Sequence, residues 1–148
     1  MISVRSIRRS AAAAALLIAV SPVAAGTAGA DGTSVCTSNP KFIPNPQPGE
    51  NWSKKDLTGC DFSGKDLTGI DFSMSNLSNA KMDNAVIIGV DLQNAVMDGT
   101  SLAGANISYS YLKKALVKNA NVTGVVWGPN ICPDGKYVPS GCANNLVK

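Results

Sequence analysis

The sequence predicts a solenoid, a stack of short repeated turns around one continuous core, and three observations predict it. A large apolar residue recurs at every fifth position without a gap: Leu57, Phe62, Leu67, Phe72, Leu77, Met82, Ile87, Leu92, Met97, Leu102, Ile107, Leu112, Val117 and Val122. Two positions before these stands a residue that is nearly always small, among them Cys60, Ser75, Ala80, Ala95, Ala105 and Ala115. Aromatic residues are only 5% of the chain, too sparse for an ordinary two-layer core and suited to a narrow tube. A spacing of five fits neither the 3.6-residue period of a helix nor the two-residue period of a strand. The five filling types make up roughly a third of ordinary chains, so an unbroken series is not chance. A short fixed period is the mark of repeat architecture.

Taken in order, the chain opens with a targeting segment. Arg5, Arg8 and Arg9 precede the apolar run from Ala11 to Val20, then Pro22 and a stretch of Ala, Gly and Thr. That order is the n-region, h-region and cleavage region of a secretory signal peptide over residues 1–30. Ala28-Gly29-Ala30 favours cleavage before Asp31, with Val23-Ala24-Ala25 as a second site. A membrane anchor would need about 20 strongly apolar residues, and this segment is Ala-rich and broken by Pro22 and Gly26. The expected location is therefore secreted or extracytoplasmic, with no membrane span in the mature chain.

Export sets the cysteine chemistry. Cys36, Cys60, Cys132 and Cys142 in a secreted chain read as two disulfides, for which three pairings are formally possible. The turn signal Pro133-Asp134-Gly135 favours Cys132 with Cys142, which leaves Cys36 for Cys60. Zinc is disfavoured, because the spacings are wide and His is absent.

Residues 31–54 hold Pro40, Pro44, Pro46, Pro48 and Gly49, an irregular segment in which only Phe42, Ile43 and Trp52 can bury much. A stacked tube leaves an open apolar end, and this lead-in is read as its N-terminal cap. The repeat proper is placed at 55–124. Lys55 and Lys65 stand where a small inward residue is usual, which predicts an open or distorted first coil. Residues 125–148 are read as a C-terminal cap with a disulfide loop, Asn144 to Lys148 as a flexible tail.

Asp56, Asp61, Asp66, Asp71, Asn76, Asp91, Asn106 and Asn121 each stand one position before a large apolar residue. Stretches such as Ala105-Asn106-Ile107-Ser108 and Lys65-Asp66-Leu67-Thr68-Gly69 resemble the A(D/N)LXX unit of the pentapeptide repeat family. The layout Trp127…Cys132-Pro133-Asp134-Gly135…Cys142 is similar to the tail of exported, actinobacterial-type members. The resemblance implies an all-β fold, a right-handed quadrilateral β-helix with one quintet per face and about 3.5 coils over the fourteen units. Leu57, Leu77, Met97 and Val117 should then lie over one another, and Val125 to Pro129 should form a closing unit with Trp127 beneath Ile107.

Composition narrows the function. Formal charge is +3, but Arg5, Arg8 and Arg9 lie in the leader, and the mature chain sets 10 Lys against 10 Asp plus Glu. A neutral surface does not attract nucleic acid. Without His the commonest general base and metal ligand are missing, so no catalytic, metal or cofactor site is expected. The stacked Asp71 and Asp91 follow from the repeat and need no calcium. Outward apolar residues Val96, Leu116, Tyr109 and Tyr111 form a candidate contact patch for a protein partner or a second copy in a homodimer. The expected function is an exported, non-catalytic, rigid protein-binding module. The family resemblance also offers an alternative, a DNA-mimicking protein that binds gyrase or another topoisomerase.

Overall fold

A computed structural model describes residues 34–38, 44–144 and 146. The leader and its cleavage sites, with Phe42 and Ile43, lie outside the described residues.

Each quintet makes one side and one corner of a tube, and four quintets close a lap. In the first corner the Cys60 N–H donates to the Leu57 carbonyl at 3.1 Å, a four-residue turn closed by its own backbone. Such a turn needs a positive φ at its third residue, which Gly supplies freely and Asn tolerates. Those residues are Gly59, Asn79, Gly99 and Asn119 on successive laps, with φ of 70°, 56°, 68° and 53°. The turn residues are thus chosen by backbone conformation, and the quintet length follows.

Laps are joined by parallel pairing between residues 20 positions apart, as in Asp56 with Asn76 and Asn76 with Val96. The Leu57 N–H donates to the Asn76 carbonyl at 2.8 Å, and the Asn76 N–H donates back to the Lys55 carbonyl at 2.9 Å. On one side the pairing widens into a parallel sheet of β1 (Val86–Ile88), β2 (Asn106–Ser108) and β3 (Val126–Trp127). Its register sets Ile87 against Ile107 and Ile107 against Trp127. Two corners here are closed by side chains: the Val90 N–H donates to Ser110 Oγ at 3.2 Å, and the Ser110 N–H donates to Asn130 Oδ1 at 2.9 Å. Both accepting side chains are buried, and Asn130 Nδ2 itself donates to the Ile107 and Gly128 carbonyls, so no polar group there is left dry.

The core is the lumen. Every residue of the fivefold series from Leu57 to Val117 is buried, whereas Val122 is only half-buried at the C-terminal mouth. Alongside them Ala80, Ala85, Ala95, Ala105 and Ala115 are buried in the small inward slots, and Ile70 fits one too.

The tube is longer at both ends than residues 55–124. Trp52 fills the inward slot one quintet before Leu57, and its N–H donates to the Asp71 carbonyl at 2.8 Å. Its ring meets Phe62 and Phe72 edge-on at centroid distances of 6.0 and 6.4 Å, closing the lumen with aromatic edges. The first lap keeps its ladder and is not distorted. Lys55 and Lys65 remain half-exposed, Lys55 Nζ lying 4.9 Å from the Trp52 ring centroid, so their charges reach water without opening the backbone. At the far end Tyr111 pairs with Ile131, and buried Cys132 follows in the inward slot 20 residues after Leu112.

Disulfides leave from inward positions at both ends. Cys36 joins Cys60 and Cys132 joins Cys142, with Cα atoms 5.2 and 5.4 Å apart. The lead-in forms a short helix, α1 (Val35–Ser38), whose Val35 N–H donates to the Asp56 carbonyl on the edge of the first lap. Beyond the last lap, β4 (Asn130–Ile131) pairs antiparallel with β5 (Tyr137–Val138). Within the segment read as a tail, Leu146 is half-buried against the core.

Leu92 sits in the middle of the lumen, and Leu116 is 56% exposed. Leu92→Ala should therefore lower the unfolding free energy by about 2–5 kcal/mol. Leu116→Ala should change it by less than about 0.5 kcal/mol. Denaturant unfolding of the two variants beside the parent checks the assignment of inside and outside.

Candidate functional site

Because one side chain per quintet and its small neighbour face the lumen, function must lie on the outward positions. The residue before each large apolar residue has a local duty in most laps. Its side-chain oxygen accepts the backbone N–H two residues on, as from Ser63 to Asp61 at 2.9 Å, Ser73 to Asp71 at 2.8 Å and Gln93 to Asp91 at 2.9 Å. This Asx turn explains the Asp and Asn bias without any ligand. Asp71 and Asp91 pair on adjacent laps. Among the described residues no group of three or more His, Cys, Asp or Glu is placed to hold a metal ion. All four cysteines are bonded, so none is a free nucleophile.

Toward the C-terminal end several of these positions lose this duty and turn apolar, although Asn121 keeps it and accepts the Thr123 N–H at 3.1 Å. One outward column reads Asn51, Asp71, Asp91, Tyr111 and Ile131. Another reads Asp56, Asn76, Val96 and Leu116. The four residues expected to form one patch therefore divide between faces: Val96 stacks on Leu116, while Tyr111 belongs to the next face with Tyr109 at its corner.

Tyr109 and Tyr111 border a groove of about 180 Å³ whose other walls are Pro129, Ile131 and Tyr137, with Ser110 and Asn130 at its base. Tyr109, Tyr111 and Tyr137 are each more than half exposed. Tyr137 reaches this place through β5, which sets it directly across from Ile131. Lys113 leaves the same face two residues after Tyr111, and its aliphatic stem runs along Gly135, 3.6 Å from where a Cβ would stand.

Charge is also distributed unevenly. Residues 50–98 carry eight carboxylates against four lysines, a net charge of −4. Residues 99–138 carry four lysines against the one carboxylate of Asp134, a net charge of +3. Near-neutral composition thus conceals a rod that is acidic at one end and basic at the other. In the sequence Pro129 and Tyr137 read as parts of the C-terminal closure and not as groove walls, and Ile131 did not stand out, although it falls one 20-residue lap after Tyr111.

The sequence profile for pentapeptide repeats (8 copies) matches residues 56–87 and 85–124. The coil stack belongs to the pentapeptide repeat family. A pentapeptide repeat protein (Rfr23) from the cyanobacterium Cyanothece 51142 is 31% identical, with 51% of each chain covered and a TM-score of 0.50. HetL, a pentapeptide repeat protein involved in heterocyst differentiation regulation from Nostoc sp. strain PCC 7120, is 29% identical, covering 60% of this chain and 43% of its own, with a TM-score of 0.49. QnrB1, a plasmid-mediated fluoroquinolone resistance protein, is 20% identical, covering 49% of this chain and 41% of its own, at a TM-score of 0.36. The chain thus spans about half the length of the solved structures it matches. No curated protein matches it. The Cyanothece likeness carries the fold, a right-handed β-helix, and the family carries the repeat.

The Asx turns bear on pH. The Ser63 hydroxyl and N–H hold the Asp61 carboxyl below its ordinary 3.8, and Thr68 does the same for Asp66. Gln47, and then Trp52, lower Glu50 in the same way. A depressed folded value stabilises the tube fully above the unfolded value, and the contribution is lost as pH falls through the folded one. Stability should be level above about pH 5 and fall below roughly pH 4. Asp66→Asn keeps the acceptor without the titration, so denaturant unfolding across this range should show a shallower acid slope for it.

Proposed function

We propose that the protein is an exported, non-catalytic rod that binds another protein at the cell surface or outside the cell. One observation carries this reading: inward side chains and ladder serve the fold alone, while the outward surface concentrates three exposed tyrosines around one groove. Residues 1–30 act as a cleaved signal peptide, and the mature chain begins at Asp31. Two cysteine pairs held as disulfides support an oxidising destination, where such bonds persist. The segments they tie down close the two ends of the tube. Chemistry on a substrate is not expected of a chain without His and with every cysteine bonded.

A DNA mimic would need an acidic surface along its length. A third outward column instead runs Asp61, Lys81, Ser101 and Asn121, and the C-terminal laps are net positive. A direct assay against gyrase should show no tight binding.

The test of export is cell fractionation with N-terminal sequencing of the native product. Recovery outside the cytoplasm starting at Asp31 is expected, and a cytoplasmic protein with residues 1–30 intact would overturn the proposal. Purified mature rod used as bait on intact cells should retain a discrete protein.

A further inference from the structure

We propose that the tyrosine groove at the C-terminal end is the docking site for an acidic protein segment that also carries apolar side chains. The inference rests on the protein-binding reading and narrows it to one face and one partner chemistry.

The first argument is the backbone at Tyr109. Preceding laps place Gly69 and Gly89 at this corner, with φ of 69° and 65°. Tyr109 takes φ of 53° and is still 66% exposed. A bulky residue at positive φ is unfavourable, and here the side chain gains no burial that would offset the cost. Lys54, Met74 and Lys114 take the same conformation, with φ of 58°, 58° and 61°, so Tyr109 is set apart by bordering the groove and not by its backbone alone. The second argument is the groove itself, whose tyrosines and Ile131 offer broad, rigid apolar area with hydroxyls at the rim, the composition of binding hot spots.

Charge fixes the partner. Residues 99–133 contain no carboxylate, and Lys113, Lys114 and Lys118 all stand exposed on this stretch. The remaining laps are net −4, so an acidic segment is repelled along the rod and drawn to this end alone. A basic or neutral partner would meet no such steering.

The probe is a labelled peptide of alternating Glu and Leu, about ten residues long, enough to cross one face of the tube. Fluorescence anisotropy with the full mature chain should show saturable binding that weakens as salt is raised. Tyr109→Asn and Tyr111→Asn place at each slot a residue that the repeat itself uses there, as at Asn79 and Asn76, and should leave the melting temperature close to that of the parent. Each should weaken binding roughly tenfold or more. Lys113→Glu with Lys114→Glu should do the same, and so should Gln in place of Glu in the peptide. Met74→Ala, removing an exposed apolar residue in the acidic half, should change nothing.

Binding indifferent to the tyrosine and lysine changes would overturn the proposal. So would capture of phosphatidylglycerol vesicles or polyphosphate by a rod that ignores the peptide, or self-association abolished by Tyr111→Asn with no peptide binding. If the doubly substituted Tyr109→Asn, Tyr111→Asn rod still retains its cellular partner, the groove is refuted while the protein-binding module stands.

Discussion

A chain segment can lie flat against its own next lap only if every N–H and C=O along the side finds a partner and every corner turns by the same amount. Parallel pairing at a separation of 20 residues meets the first demand, and the positive-φ corner residue meets the second. Side chains fill the lumen that results; they do not create its shape. The Leu57 to Asn76 bond at 2.8 Å recurs as Leu77 to Val96 at 2.7 Å and Met97 to Leu116 at 2.8 Å. The tube tolerates Phe, Met, Leu and Val in the same column for that reason, as at Phe62, Met82, Leu102 and Val122, since the ladder sets the diameter and the residues adjust within it.

The same constraint separates fold from function along each quintet. Inward slots are sealed, corner slots answer to φ, and the Asx position answers to a local hydrogen bond. Where an outward position answers to none of these, as at Tyr109, Tyr111 and Leu116, its side chain carries information about something other than folding. The exposed lysines of the C-terminal half belong to the same class, because they contribute little to stability, whereas the aspartates of the other half serve their own turns.

Much of the fold was legible because lumen-facing positions are physically restricted and therefore periodic. Leu57 through Val117 could be read directly from the fivefold spacing. Trp52 and Cys132 read as cap residues and not as lumen residues, because neither Trp nor Cys occurs among the fourteen large residues of the series. Lys55 and Lys65 misled in the opposite sense, since a long aliphatic stem lets a charge leave the lumen without bending the backbone. The groove was half legible. Tyr109 and Tyr111 stand out as bulky residues in polar columns, but Tyr137 arrives through an antiparallel hairpin, and no period announces that. Ser110 and Asn130 closing the corners after β1 and β2 were equally hidden, because a Ser in a small slot looks like any other filler.

The hairpin of β4 and β5 has one more effect. Its second strand pairs with Asn130 and Ile131 and so occupies backbone groups at that edge that would otherwise be open to another strand. The rod's capacity for variation lies in the middle instead. Duplication of one 20-residue lap between the two tied ends would leave both terminations intact and carry the tyrosines outward by about 4.8 Å, a molecular ruler graduated in single laps.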